Sequence, residues 1–167
     1  MLLDTRRKYR LLVLCTGNSA RSIMAEALFN TLGASCFEAW SAGSRPAGQV
    51  NPFALEQLAS LQLATQPRSK SWDEFAQQDA PAIDIVLAVC DNAASEECPA
   101  IAGRPRSASW CLPDPAAVVG SDASKRRAFA HCFAIFEARI RHLLQTLDRD
   151  HPVDMVELLN ETARVIP

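Results

Sequence analysis

The apolar run Leu11-Leu12-Val13-Leu14 feeds directly into the loop Cys15-Thr16-Gly17-Asn18-Ser19-Ala20-Arg21-Ser22. Behind the loop, Ile23, Met24, Ala27, Leu28 and Leu32 recur at helical spacing over Ser22 to Leu32, and Gly33 is a plausible stop. A short unbroken apolar run is expected of a strand covered on both faces. Strand, tight loop and helix in this order constrain the fold more than any other stretch. They announce a sheet with helices packed against it, and a loop open to solvent at the strand's carboxyl end.

The same alternation continues along the chain. Cys36 to Trp40 reads as a second strand, ended by Ser41-Ala42-Gly43, and Pro46 to Asn51 as a loop. Pro52 starts a helix bearing Phe53, Leu55, Leu58, Leu61 and Leu63, since a proline at the first turn sacrifices no bonded N–H. Ser71 to Phe75 opens a short third helix, and Ile83 to Val89 is a third buried strand running into Cys90-Asp91-Asn92. After the Pro/Gly-bearing stretch 98–105, Ser107 to Cys111 is a short fourth strand and Leu112-Pro113-Asp114-Pro115 a rigid loop. A long helix begins at Asp122 or Ser124, with Phe129, Cys132, Phe133, Phe136, Ile140, Leu143, Leu144 and Leu147 on its apolar face. Asp148 to Pro152 breaks it, and Val153 to Val165 forms a last helix. Strands alternating with helices predict an α/β domain with a parallel sheet and right-handed crossovers. In such a sheet the Cys15 loop, Cys90 and Asp114, each just past a strand end, come to one edge whatever their sequence separation.

At 167 residues the chain suits one domain, divided here into an N-terminal extension (1–9), a catalytic domain (10–150) and a C-terminal helical extension (151–167). A net charge of -2 without a large basic block implies no nucleic-acid partner; Arg6, Arg7, Lys8 and Arg10 read as a short solvated patch. No apolar run approaches the ~20 residues of a membrane span, and no signal peptide is evident, so a cytoplasmic protein is expected. Six cysteines in a reducing compartment argue for catalytic, redox or metal roles rather than a disulfide framework.

The loop's chemistry follows from its residue types. Backbone N–H groups of a turn containing Gly and Asn can form a concave anion nest, and the following helix adds its positive end. Arg21 offers a planar fork to two oxygens of a tetrahedral anion. Cys15 in that field is expected to have a lowered pKa, with Ser19 and Ser22 as donors. Gly17 and Asn18 are types that tolerate the positive φ such a loop calls for. Residues Thr16, Gly17, Asn18, Ser19, Ala20, Arg21 and Ser22 are thus the candidate oxyanion cradle, with Cys15 as nucleophile. A buried strand-end cysteine beside a capping serine is the plainer alternative.

With Met24-Ala25-Glu26-Ala27 after the loop, then Trp40-Ser41-Ala42-Gly43, Val89-Cys90-Asp91-Asn92, Cys98-Pro99 and Leu112-Pro113-Asp114-Pro115-Ala116, the chain resembles the low-molecular-weight tyrosine phosphatases. It resembles more closely the arsenate reductases built on that fold. The resemblance implies a single-domain three-layer sandwich, with a four-stranded parallel sheet and helices on both faces. It implies reduction of arsenate to arsenite: Cys15 forms an arseno-cysteine, Asp114 assists proton transfer, and Cys90 and Cys98 carry the resulting disulfide outward. It implies no organic cofactor, only an external thiol reductant. Seven residues separate Cys90 from Cys98, more than in thioredoxin-coupled members, so thioredoxin and glutathione with glutaredoxin both stand as donors. Ala116 replaces the aromatic residue that phosphatases of this fold carry there, and Tyr9 is the sole tyrosine. The family also suggests a potassium ion near Asn18, Glu26 and Ser41, or the Lys70 ammonium beside Glu26 instead.

The remaining cysteines have plainer readings. Cys132 sits on the long helix's apolar stripe and Cys36 at a strand start, both as packing; Cys111 borders the site, with packing or a place in the thiol relay both open. Zinc is not implied, because Cys90 and Cys98 lack a second ligand pair and His131, His142 and His151 all come late in the chain. Two further functions stay in view: a phosphatase acting on phosphomonoesters, and a non-catalytic module that binds an oxyanion or senses redox state.

Overall fold

A computed structural model describes residues 7–148 and 151–167. Four strands, β1 (Tyr9–Cys15), β2 (Phe37–Gly43), β3 (Ile85–Ala88) and β4 (Arg106–Ser109), form one sheet in the order β2-β1-β3-β4. Every pairing is parallel. Among the described residues, helices α1 (Arg21–Leu32), α2 (Pro52–Leu58) and α3 (Asp91–Ser95) lie between the strands and α4 (Asp122–Thr146) and α5 (Met155–Val165) follow them, with 3₁₀ turns at Trp72–Ala76 and Pro115–Ala117. The expected α/β architecture is the observed one. Successive side chains of a strand point to opposite faces, and Leu11, Leu12, Val13 and Leu14 are all buried, so both faces of the sheet are covered.

Three departures from the sequence reading bear on the site. β2 runs on through Ser41, Ala42 and Gly43, which pair with Val13, Leu14 and Cys15, where a turn was expected. β-propensity is low there, but parallel pairing to β1 overrides it. The fourth strand stops at Ser109, two residues short, because the chain leaves the regular ladder there: Trp110 N–H bonds to the Ala88 carbonyl, and Leu112 N–H to that of Val89. A short helix, α3, follows Cys90 directly; its five residues were too few to show periodicity.

The ends of the chain join the same core. Tyr9 already belongs to β1, within the segment read as a lead-in; residues 1–6 of that segment lie outside the described residues. So do residues 149–150 of the break after α4. α4 starts at Asp122, capped by the Ser121 hydroxyl accepting from Ser124 N–H. α5 buries Met155, Val156 and Leu159, and its Leu159 carbonyl accepts the indole N–H of the fully buried Trp110 at 2.7 Å. Trp110, stacked on Phe29 of α1, is a core residue that the alternation of β4 did not reveal. Among the described residues no helix is long and apolar enough to cross a membrane.

Candidate active site

The loop after β1 closes around its own N–H groups because its carbonyls are held from outside. Arg45 N–H bonds to the Thr16 carbonyl (2.9 Å), Ala47 N–H to that of Gly17 (2.9 Å) and Asn51 N–H to that of Ser19 (2.8 Å). In a planar trans peptide C=O and N–H point opposite ways. Tying these carbonyls outward turns the N–H groups of Gly17, Asn18 and Ala20 inward, which is the geometry of an anion nest. Asn18 N–H does point at Cys15 Sγ, at 3.1 Å. Among loop residues 15–22 only Asn18 takes a positive φ (42°); Gly17 does not, contrary to expectation. The close approach of β2 requires the glycine at 43 instead: a Cβ there would collide with the Thr16 carbonyl oxygen and lie 3.0 Å from Asn18 N.

Cys15 is buried, its Sγ 2.9 Å from Ser22 Oγ. Burial pushes this thiol above its ordinary value, reversing the expected direction. The Ser22 hydroxyl and the N–H groups of Ser22 and Asn18 act against that rise, and the nearby Cys90 sulfur adds to it. The hydrophobic wall that holds the nucleophile therefore opposes its ionisation, a cost the sequence offered no way to weigh.

Behind Cys15, polar groups run in a chain. The Asn18 side-chain amide donates to Ser22 Oγ (2.8 Å) and Ser41 Oγ (2.9 Å), while its oxygen accepts Lys70 N–H (2.8 Å). Ser41 Oγ donates in turn to Glu26, and Lys70 Nζ lies 3.7 Å from the same carboxylate. These contacts fit the Lys70 ammonium beside Glu26, the alternative to a potassium ion at Asn18, Glu26 and Ser41. Asn18 turns donors toward the position, Ser41 spends its proton on Glu26, and the Lys70 ammonium supplies the positive charge. Burial pushes Glu26 up and Lys70 down, each toward its neutral form, and their mutual attraction opposes both shifts.

Arg21 opens α1 and reaches across to the loop after β4. It donates to the Leu112 carbonyl at 2.8 Å and approaches Asp114 Oδ2 at 3.5 Å. Asp114 Oδ1 also accepts Ala116 N–H, capping the turn Pro115–Ala117. The aspartate, the arginine and the cradle thus converge, as the parallel topology implied. Cys90 joins them: its Sγ accepts Ala93 N–H at 3.3 Å and lies 3.7 Å from Thr16 Oγ1. Cys98 does not join them. It is exposed and lines a cavity of about 270 Å³ against β3 and β4, with Ala88, Glu96, Ser107, Ser109 and Asn160. Cys36 and Cys132 are packed in the core as expected, and burial pushes the Cys132 thiol up to about 12.

The arrangement provides a thiol beneath an anion nest, a guanidinium at its rim, a carboxylate opposite and a second thiol at its edge. Comparison with known proteins agrees with it. The sequence pattern of low molecular weight phosphotyrosine protein phosphatase matches residues 10–153. An arsenate reductase of Halalkalibacterium halodurans is 30% identical over 133 residues, 80% of this chain and 93% of that protein. The crystal structure of an arsenate reductase from Archaeoglobus fulgidus is 28% identical, with a TM-score of 0.55 over 76% of this chain and 95% of that one. A low-molecular-weight phosphotyrosine phosphatase from Vibrio cholerae shares the fold, with a TM-score of 0.59 at 19% identity over 83% of this chain and 97% of that one. Cradle, topology and sequence pattern agree, and this chain belongs to the low-molecular-weight phosphotyrosine protein phosphatase family.

Proposed function

We propose that the chain reduces arsenate to arsenite with electrons from thiols. The observation that carries this reading is Cys90 at the cradle's edge, its sulfur 3.7 Å from Thr16 Oγ1 and electrostatically coupled to Cys15. Ester hydrolysis has no use for a second thiol there; two-electron reduction requires one. The similarity to arsenate reductases supports the same choice.

In this mechanism the tetrahedral anion displaces Arg21 from part of its pairing with Asp114 and takes the guanidinium fork and the inward N–H groups. The Cys15 thiolate, held by Ser22 Oγ and Asn18 N–H, attacks arsenic(V). An oxygen leaves as water, its proton delivered from Asp114. The Cys90 thiolate then attacks Cys15 Sγ. The S–As bond breaks toward arsenic, which departs as arsenite carrying the electron pair, and a Cys15–Cys90 disulfide remains. Exposed Cys98 passes the disulfide to an external thiol reductant, thioredoxin or glutathione with glutaredoxin, and the chain needs no organic cofactor.

Hydrolysis of phosphomonoesters is the second reading, favoured by the Arg21–Asp114 pair, which would serve it equally well. Arsenate turnover with each donor system, set beside aryl phosphate hydrolysis, separates the two. Cys90→Ser and Cys98→Ser should each abolish multiple-turnover arsenate reduction and spare hydrolysis. Wild-type arsenate turnover in both variants would reject the relay.

A further inference from the structure

Cys111 has surroundings that a packing cysteine does not need. It follows β4, and the bonds Trp110 N–H to Ala88 C=O (2.7 Å) and Leu112 N–H to Val89 C=O (3.2 Å) hold it alongside the end of β3, where Cys90 stands. Backbone bonds on both sides of Cys111 thus set it against residues 88–90, and a disulfide spans a Cα separation of ~4.4–6.8 Å. The thiol is partly exposed. It lies 3.2 Å from Ser109 Oγ, whose hydrogen bond favours the thiolate, while burial, the Asp91 carboxylate and the Cys90 sulfur push the thiol up. Ser109 lines the cavity that also holds Cys98. Arg139, a buried cation whose nitrogens bond to the Ile166 and Trp110 carbonyls, interacts electrostatically with both Cys111 and Cys132. For Cys98, by contrast, burial alone acts on the thiol among the described residues.

Resting on the reading of the chain as a thiol-dependent reductase, we propose that Cys111 resolves Cys90 ahead of Cys98, making the relay one of four thiols. Cys111 gives its proton to solvent at its partly exposed side, and its sulfur attacks Cys90 Sγ in the Cys15–Cys90 disulfide. A Cys90–Cys111 bond forms, the Cys15–Cys90 bond breaks, and Cys15 leaves as the thiolate that Ser22 and Asn18 hold. The disulfide has then moved from the buried cradle to a partly exposed thiol beside Ser109, a residue of the Cys98 cavity, from which Cys98 takes it onward by attacking one of its sulfurs and releasing the other thiol. No electrons enter or leave the protein in this step.

Reduced protein is given arsenate without any donor, quenched with an alkylating agent, digested and mapped for disulfides by mass spectrometry. A second arm replaces arsenate with one equivalent of diamide, which removes two electrons and two protons from a thiol pair. Cys98→Ser should stop at Cys90–Cys111, wild type should form that bond before any bond to Cys98, and Cys111→Ser should accumulate Cys15–Cys90 in the arsenate arm, with resolution slowed at least tenfold. If Cys111→Ser resolves Cys15–Cys90 at the wild-type rate, or Cys98→Ser yields no Cys90–Cys111 in either arm, the proposal is wrong. Absence of arsenite from wild type, with Cys90–Cys111 still formed by diamide, would reject arsenate reduction and support the thiol pair. Absence of that bond from both arms would reject the pair.

Discussion

Replacing Lys70 by methionine leaves Glu26 buried without its counter-ion. At 3.7 Å, the lost attraction is about 4.5 kcal/mol for an effective dielectric of ~20. Both side chains are largely shielded, at 8% and 22% exposure, so screening trims this only partly. The protein can escape the full loss by protonating Glu26. Against an unfolded value of 4.5, holding that carboxyl neutral costs at most about 3.4 kcal/mol at pH 7 and about 1.4 kcal/mol at pH 5.5. Glu26 is raised already in the wild type, which therefore bears part of this cost. The expected loss is ~1 to ~3 kcal/mol at pH 7, shrinking as pH falls. The sign is that of a raised carboxyl: its stability is fully present below the unfolded value and lost as pH rises through the folded one. In the variant the folded value is higher still, so the gap to wild type opens with pH. Urea unfolding of both proteins from pH 4.5 to pH 8 measures the gap. The double variant Glu26→Gln/Lys70→Met, with no buried charge left, should recover most of the loss. A gap below ~0.5 kcal/mol at pH 7, or one constant over the whole range, would refute the reasoning.

Gly43→Ala should damage the cradle from behind, because the added methyl meets the Thr16 carbonyl and the Asn18 backbone rather than a movable side-chain tip. Inorganic phosphate titrated calorimetrically should bind at least ~10-fold more weakly, about 1.4 kcal/mol, with the fold retained by circular dichroism; an unchanged Kd would contradict this account of the loop. Cys132→Val should flatten stability at alkaline pH. The thiol rises from 9.0 to about 12 on folding, so its contribution is intact below pH 9 and is lost as pH climbs. At pH 10 the wild type should have lost about 1.4 kcal/mol more than the variant relative to pH 8, and parallel stability curves would show that burial does not govern this group.

Local chain order was enough for the first half of the site. Leu11 to Leu14 read as a covered strand, the residues after Ser22 as a helix, and the loop between them as an anion cradle carrying Cys15 and Arg21. Parallel α/β topology then implied that Asp114 and Cys90 would reach the same edge, since strand ends gather there however far apart they lie in sequence. These are properties of short windows and of handedness rules, which a sequence carries openly.

What the windows could not contain, the tertiary structure decided. The nest faces inward only because backbone N–H groups of Arg45, Ala47 and Asn51, from another segment, hold its carbonyls outward. The charge near Glu26 is an ammonium because Lys70 packs there, more than forty positions away in the chain. Cys15 is raised rather than lowered because burial depends on what surrounds a residue, not on its neighbours in sequence. The placement of the thiols is tertiary too: the Trp110 and Leu112 N–H bonds to the Ala88 and Val89 carbonyls set Cys111 near Cys90, while Cys98 lines a cavity against β3 and β4. Local periodicity determines which elements form and which residues they carry, whereas desolvation and distance belong to the packed whole.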